Sequence, residues 1–183
     1  MGSPDSSGTL FTDIHDSSLT YFIGKDYQDY RLWKKNTLIL TGNLGGRIFR
    51  DYFQKFGEWK EYYQNGKIRA VGHYNFDNPI GVWTYYYPNG KKKKWFTITK
   101  IETDSTTSYC KTGQFEDFYE NGNIKLRGFY KLSFDTMVIA WTTIDTSDSE
   151  KFIDVIARGH RSKPDHTWTY YKINGELERT ENY

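Results

Sequence analysis

Four times in this chain an aromatic residue stands six positions before an Asn-Gly pair. Trp59 precedes Asn65-Gly66, Trp83 precedes Asn89-Gly90, Phe115 precedes Asn121-Gly122 and Trp168 precedes Asn174-Gly175. A spacing held constant while the intervals between copies vary is the mark of one supersecondary unit reused. Asn-Gly between two alternating runs is the strongest short hairpin signal, and the turn expected there is type I′, with positive φ at both central residues. Gly57, Gly81 and Gly113 lead three of the copies, and His166 stands in that place in the fourth. Tyr74, Ile98, Tyr130 and Tyr183 each fall nine residues after their Asn, so Tyr183 closes the last hairpin.

Within a unit, strand alternation puts Trp59 and Tyr63 on one face and Tyr62 on the other, and sets Ile68, Ala70 and Tyr74 together on the return strand. Residues 33–42 overlie 63–72 at a shift of thirty, with the Asn-Gly lost, as expected of a terminal capping repeat. The expected organisation is a flexible lead-in over residues 1–20 followed by a single β-repeat domain, 21–183. That domain holds a degenerate unit (21–56), repeats at 57–80, 81–112, 113–130 and 166–183, and an insertion at 131–165. Residues 102–112 read as a loop. The insertion carries two strand candidates, 137–141 and 152–157, around an acidic stretch at 142–150, and reads as a further hairpin longer than the others. No stretch sustains helical periodicity, so the chain reads as nearly all β.

Composition agrees with half-wet sheet. The chain has 16 Tyr, 12 Phe and 6 Trp among 183 residues, against a hydrophobic fraction of only 37%. A net charge of +2 supplies no global field for nucleic acid. One cysteine, Cys110, allows no internal disulfide. His15, His73, His160 and His166 show no metal-ligand spacing, so no metal or other cofactor is expected. Gly-x-Ser-x-Gly, phosphate-loop and dinucleotide patterns are absent. Adjacent acids such as Glu116-Asp117 point to opposite faces of a strand, so the expectation is that the chain is not an enzyme. The first residues carry neither a basic n-region nor an apolar run. The expected location is cytoplasmic, or periplasmic or cell-surface where an export signal has been trimmed.

The pattern Gly-x-Trp-x-x-Tyr-Tyr-x-Asn-Gly-Lys-x-x-x-x-Gly-x-Tyr, complete over residues 57–74, resembles the variant MORN repeat. Tandem copies resemble the bacterial YwqK-type antitoxin or immunity proteins. The resemblance implies tandem antiparallel β-hairpins forming an elongated, twisted sheet or solenoid without a deep pocket. It also implies a non-catalytic protein-binding role, that of an inhibitor occluding a cognate bacterial toxin. The alternative is a cell-envelope scaffold contacting lipid or surface polymer.

Specificity is expected where the pattern fails: the run Lys91-Lys92-Lys93-Lys94 in the second copy and the acidic insertion. Long insertions in repeat proteins often map to the binding face. Strand alternation sends two of the four lysines to each face, which dilutes a membrane-binding patch. The residues expected to touch a protein partner are Tyr63, Trp83, Tyr85, Lys92, Lys94, Trp141, Asp145 and Asp148.

Overall fold

The computed structural model describes residues 8–13, 15–24, 29–45, 54–104, 106–146 and 149–183; for residues 11 and 136–158 only the backbone course enters. Twelve strands, each antiparallel to its neighbours, follow one another in a single open sheet whose spatial order is the chain order. They are β1 (Gly8–Thr12), β2 (Leu19–Gly24), β3 (Tyr30–Lys34), β4 (Thr37–Gly45), β5 (Gln54–Tyr62) and β6 (Ile68–Asn75), then β7 (Asn78–Tyr86), β8 (Lys92–Glu102), β9 (Thr107–Phe118), β10 (Ile124–Thr146), β11 (Ser149–Tyr171) and β12 (Leu177–Asn182). No helix occurs among the described residues. The all-β hairpin array expected from the repeats is therefore what the chain forms.

Several local expectations are corrected. The Asn-Gly turns are not type I′. In the first, Gly66 N–H donates to Tyr63 O at 2.9 Å and Tyr63 N–H to Lys67 O at 2.8 Å, and only Gly66, not Asn65, has positive φ. That is a three-residue loop, a type I turn closed by a left-handed glycine. The turns at Gly90, Gly122 and Gly175 repeat it. Two-residue turns with positive φ at both central positions do occur, at Lys35-Asn36 and Phe76-Asp77, where the sequence offers no glycine. Residues 102–112 are not a loop: β8 runs through Glu102, and β9 starts at Thr107. The insertion is the longer hairpin expected, but its strands continue those of the flanking repeats instead of standing apart, since β10 and β11 each span 23 residues. Residues 8–12, placed in the lead-in, form the first strand.

A one-layer sheet has no second sheet to cover its apolar face, so its core must be built within that face. Among the described residues the buried apolar side chains are Leu44, Trp59, Ala70, Trp83, Phe96, Cys110 and Trp168. The indoles are buried by lying across glycines. A Cβ placed on Gly42 would come within 2.2 Å of the Trp59 ring, one on Gly72 within 2.2 Å of Trp83, and one on Gly128 within 2.3 Å of Trp168. Each glycine lies on the strand preceding its tryptophan. Where the second copy replaces this glycine by Phe96, the next unit carries a smaller ring, Phe115, and the two stack at 6.4 Å. Further rings close the row, with Tyr74 against Trp83 at 5.1 Å, Tyr85 against Phe96 at 5.9 Å and Tyr130 against Trp168 at 5.0 Å. Aromatic area of this size contributes about 4–6 kcal/mol per ring on area bookkeeping.

The leading residue of each unit explains how the indole reaches its glycine. Gly57, Gly81 and Gly113 sit at φ of 70°, 67° and 73°, and the ladder with the preceding strand slips beside each of them. The fourth copy keeps this left-handed backbone with a non-glycine residue, His166 at φ 59°. A side chain there costs about 1–2 kcal/mol. The imidazole is 70% exposed, so its 2.9 Å contact with the Asp165 carboxylate is open to solvent and returns little. His166→Gly should therefore raise Tm by about 2–4 °C, measured by calorimetry. A fall in Tm would mean that the imidazole's contacts outweigh the relief of backbone strain.

Candidate partner-binding face

The four Asn-Gly turns share one edge of the sheet, and they are tied together. Tyr63 donates its hydroxyl to Tyr86 O at 2.7 Å, Tyr87 to Phe118 O at 2.7 Å and Tyr119 to Tyr171 O at 2.8 Å. Asn65, Asn89 and Asn121 donate their side-chain amides to Pro88 O, Glu120 O and Ile173 O at 2.9–3.0 Å. Lys67 and Lys91 add bonds to Asn89 O and Asn121 O. Each turn is thus pinned to the next, which fixes the spacing of whatever the adjoining face displays.

On that face, cations lie along the aromatic row. The Lys55 ammonium sits 5.0 Å from the Trp59 ring centre, Lys94 4.8 Å from Tyr85, and Lys111 4.7 Å from Phe96. Burial, then the neighbouring Lys94, lowers the pKa of Lys111. Burial, then Glu61, raises that of Tyr85. None of Lys55, Lys93, Lys94 and Lys111 has a carboxylate partner among the described residues. Between β6, β7 and β8 the face opens a recess of 230 Å³ lined by Tyr63, Arg69, Tyr85, Tyr86, Lys93 and Lys94.

Of the residues expected to meet a partner, the recess gathers Tyr63, Tyr85 and Lys94. Trp83 is only 4% exposed and belongs to the core beneath, so it cannot serve as a contact. Lys92 is exposed and pairs across the ladder with Tyr86, outside the recess. Trp141 and Asp145 lie opposite Asp154 and Glu150 in the long hairpin, at positions where only the backbone course is described. Asp148 lies outside the described residues. The acidic insertion is mostly strand rather than loop.

Arg69 and Lys111 have no place in the sequence expectation, and Lys93 enters it only within the lysine run, not among the expected contacts. A bulge explains Lys93: Tyr85 pairs with Lys94 and Tyr86 with Lys92, so Lys93 is the extra residue and joins Lys94 at the recess. The two-per-face division of the lysines therefore fails. The same bulge at Arg69 breaks the expected grouping of Ile68 with Ala70 and Tyr74.

The long hairpin formed by β10 and β11 leaves β9 after Tyr130, the last β10 residue paired to β9, at Gly113. Its return strand comes back against β9, with the Cys110 thiol donating to His160 O at 3.2 Å. Asp135 accepts bonds from Lys163, Arg161 and Ser133, which hold its carboxyl well below the usual carboxylate range. Among the described residues no cluster of His, Cys, Asp and Glu could hold a metal.

The family model of the MORN repeat variant matches residues 57–75, 79–94 and 111–132, the stretches that carry the first three Asn-Gly hairpins. No curated protein and no solved structure matches the chain.

Proposed function

We propose that this MORN-repeat chain is a non-catalytic binding protein that occludes a protein partner with its aromatic face, in the manner of an immunity or antitoxin-type inhibitor. The matched repeats support a binding or scaffold role. The observation that carries the reading is the face itself: half-buried tyrosines with lysines laid along them that have no carboxylate partner among the described residues, held in place by the turn ladder. Tyrosine and arginine are enriched in interface hot spots, lysines at a rim steer an acidic partner, and a surface already rigid loses little entropy on binding. The antitoxin assignment rests on the resemblance of the tandem repeats. The envelope reading has less to draw on, because Lys91 is engaged in the ladder and Lys94 lies along Tyr85.

The test is co-expression with the product of the neighbouring reading frame, followed by calorimetry and hydrogen exchange on the complex. The expected result is a tight complex that protects β6 to β9 and loses about tenfold or more in affinity on Lys94→Glu. A complex protected on the opposite face and indifferent to that substitution sinks the reading.

A further inference from the structure

The extra residue of each Asn-Gly hairpin's bulge carries a pattern of its own. Arg69, Lys93 and Lys125 each stand four residues after the turn Asn and six after the tyrosine of the ladder, Tyr63, Tyr87 and Tyr119. They fall on β6, β8 and β10, alternate strands of one sheet, hence about 9.5 Å apart in a line across the strands. All three are on the aromatic face: Arg69 meets Glu61 at 3.1 Å, Lys93 lies 5.5 Å from the Tyr87 ring centre, and Lys125 lies 5.9 Å from that of Tyr119. Because the tyrosine hydroxyls are bonded to the next unit, the rings between the cations are fixed in place.

We propose that this row reads an acidic segment in the polyproline II conformation, with one carboxylate on every third residue. The inference rests on the aromatic face being the binding face and names the partner class it selects. A polyproline II chain repeats every three residues, about 9.3 Å, so an acid at each third position meets a cation at each step. An extended strand presents same-face side chains about 6.7 Å apart and falls out of step at the second cation. The intervening residues of the segment, prolines above all, rest on Tyr63, Tyr87 and Tyr119, as proline-rich chains do on aromatic-lined grooves. Glu61 and Asp117, part-buried carboxylates that face the exposed Arg69 at 3.1 Å and Lys125 at 3.9 Å, hold those two cations in pairs that a ligand must displace, so the centre of the row is its strongest point. Lys93 at the centre has no carboxylate partner among the described residues. The row ends at β12, where the corresponding residue is Glu178, so three cations span a seven-residue ligand.

The experiment titrates the full chain with the peptide Ac-Glu-Pro-Pro-Glu-Pro-Pro-Glu-NH2, followed by tyrosine and tryptophan fluorescence at low and high salt. Controls are a peptide with three prolines between glutamates, phosphatidylserine vesicles and a thymidine oligonucleotide. The three-residue spacing should bind about fivefold more tightly than the four-residue spacing, weaken with salt, and lose about fivefold on Lys93→Gln. Glu178→Lys, an exposed change that adds a fourth cation, should strengthen binding of the ten-residue, four-glutamate peptide about fivefold. Equal affinity for the two spacings, no gain from Glu178→Lys, or saturation by vesicles or oligonucleotide but not by peptide overturns the proposal. A protein partner protected on this face yet unaffected by Lys93→Gln removes the row while leaving the face as the binding surface.

Discussion

Gly72→Ala is expected to destabilise the protein by about 2–3 kcal/mol, far more than an exposed glycine in a strand would suggest. A Cβ at this position would stand 2.2 Å from Cδ2 and Cε2 of Trp83, and nothing flexible lies between them. Either the indole lifts from the sheet or β6 and β7 separate, and both uncover the row that forms the core. Trp83→Phe alone should cost about 1–2 kcal/mol, since area is lost and its Nε1, buried without a partner, gives up no hydrogen bond. The informative measurement is the cycle. The chain already contains a rung in which the glycine is absent and the tryptophan is a phenylalanine, Phe96 against Phe115. Gly72→Ala with Trp83→Phe should therefore be less destabilised than the sum of the single changes by about 1–2 kcal/mol in urea denaturation. Strict additivity would show that the close contact between Gly72 and the indole is not what ties the two positions together.

This pairing shows what the sequence made legible and what it concealed. The recurrence of an aromatic six residues before Asn-Gly identified the hairpins and their order, because turn chemistry and strand alternation are local. The alignment of residues 33–42 on 63–72 also survives in the structure, since Gly42 and Gly72 receive Trp59 and Trp83 in the same way. The turn type was misjudged because Asn-Gly suits two geometries. Here Asn65 is needed in negative φ, where its side-chain carbonyl accepts from Lys67 N–H and its amide reaches Pro88 O. The insertion is legible as a longer hairpin, but its strands run on through the acidic stretch read as its loop, because polarity says nothing of backbone pairing in a hairpin that leaves its neighbour β9. The candidate site was half legible. Tyr63, Tyr85 and Lys94 could be chosen from residue type and face, whereas Arg69 and Lys93 depend on a bulge that moves one residue out of the alternation. Aligning the copies on their Asn residues puts Arg69, Lys93 and Lys125 in one column, a signal present in the sequence and visible once the bulge is known.

A sheet of one layer makes stability a matter of neighbours, and Trp168→Ala should show it. The Trp168 ring lies over Gly128, stacks on Phe115 at 5.7 Å, meets Tyr130 at 5.0 Å and Tyr183 at 6.1 Å, and donates Nε1–H to Phe129 O at 3.2 Å. Removing it takes away a large buried side chain that joins β11 to β9 across β10, and a truncation of this kind costs about 3–5 kcal/mol. In a protein with a central core that loss would be shared by every element. Here each unit touches only its neighbours, so the loss should fall on one end. Hydrogen exchange should show amides of β10, β11 and β12 losing about two to three orders of magnitude in protection, while β5 to β8 keep theirs. The mirror substitution, Trp59→Ala, should loosen β3 to β6 and spare β10 to β12. A uniform loss of protection across the sheet in either variant would show that the strands unfold as one unit. The aromatic row would then be a single cooperative core, and the recess between β6, β7 and β8 could not be altered without disturbing the whole molecule.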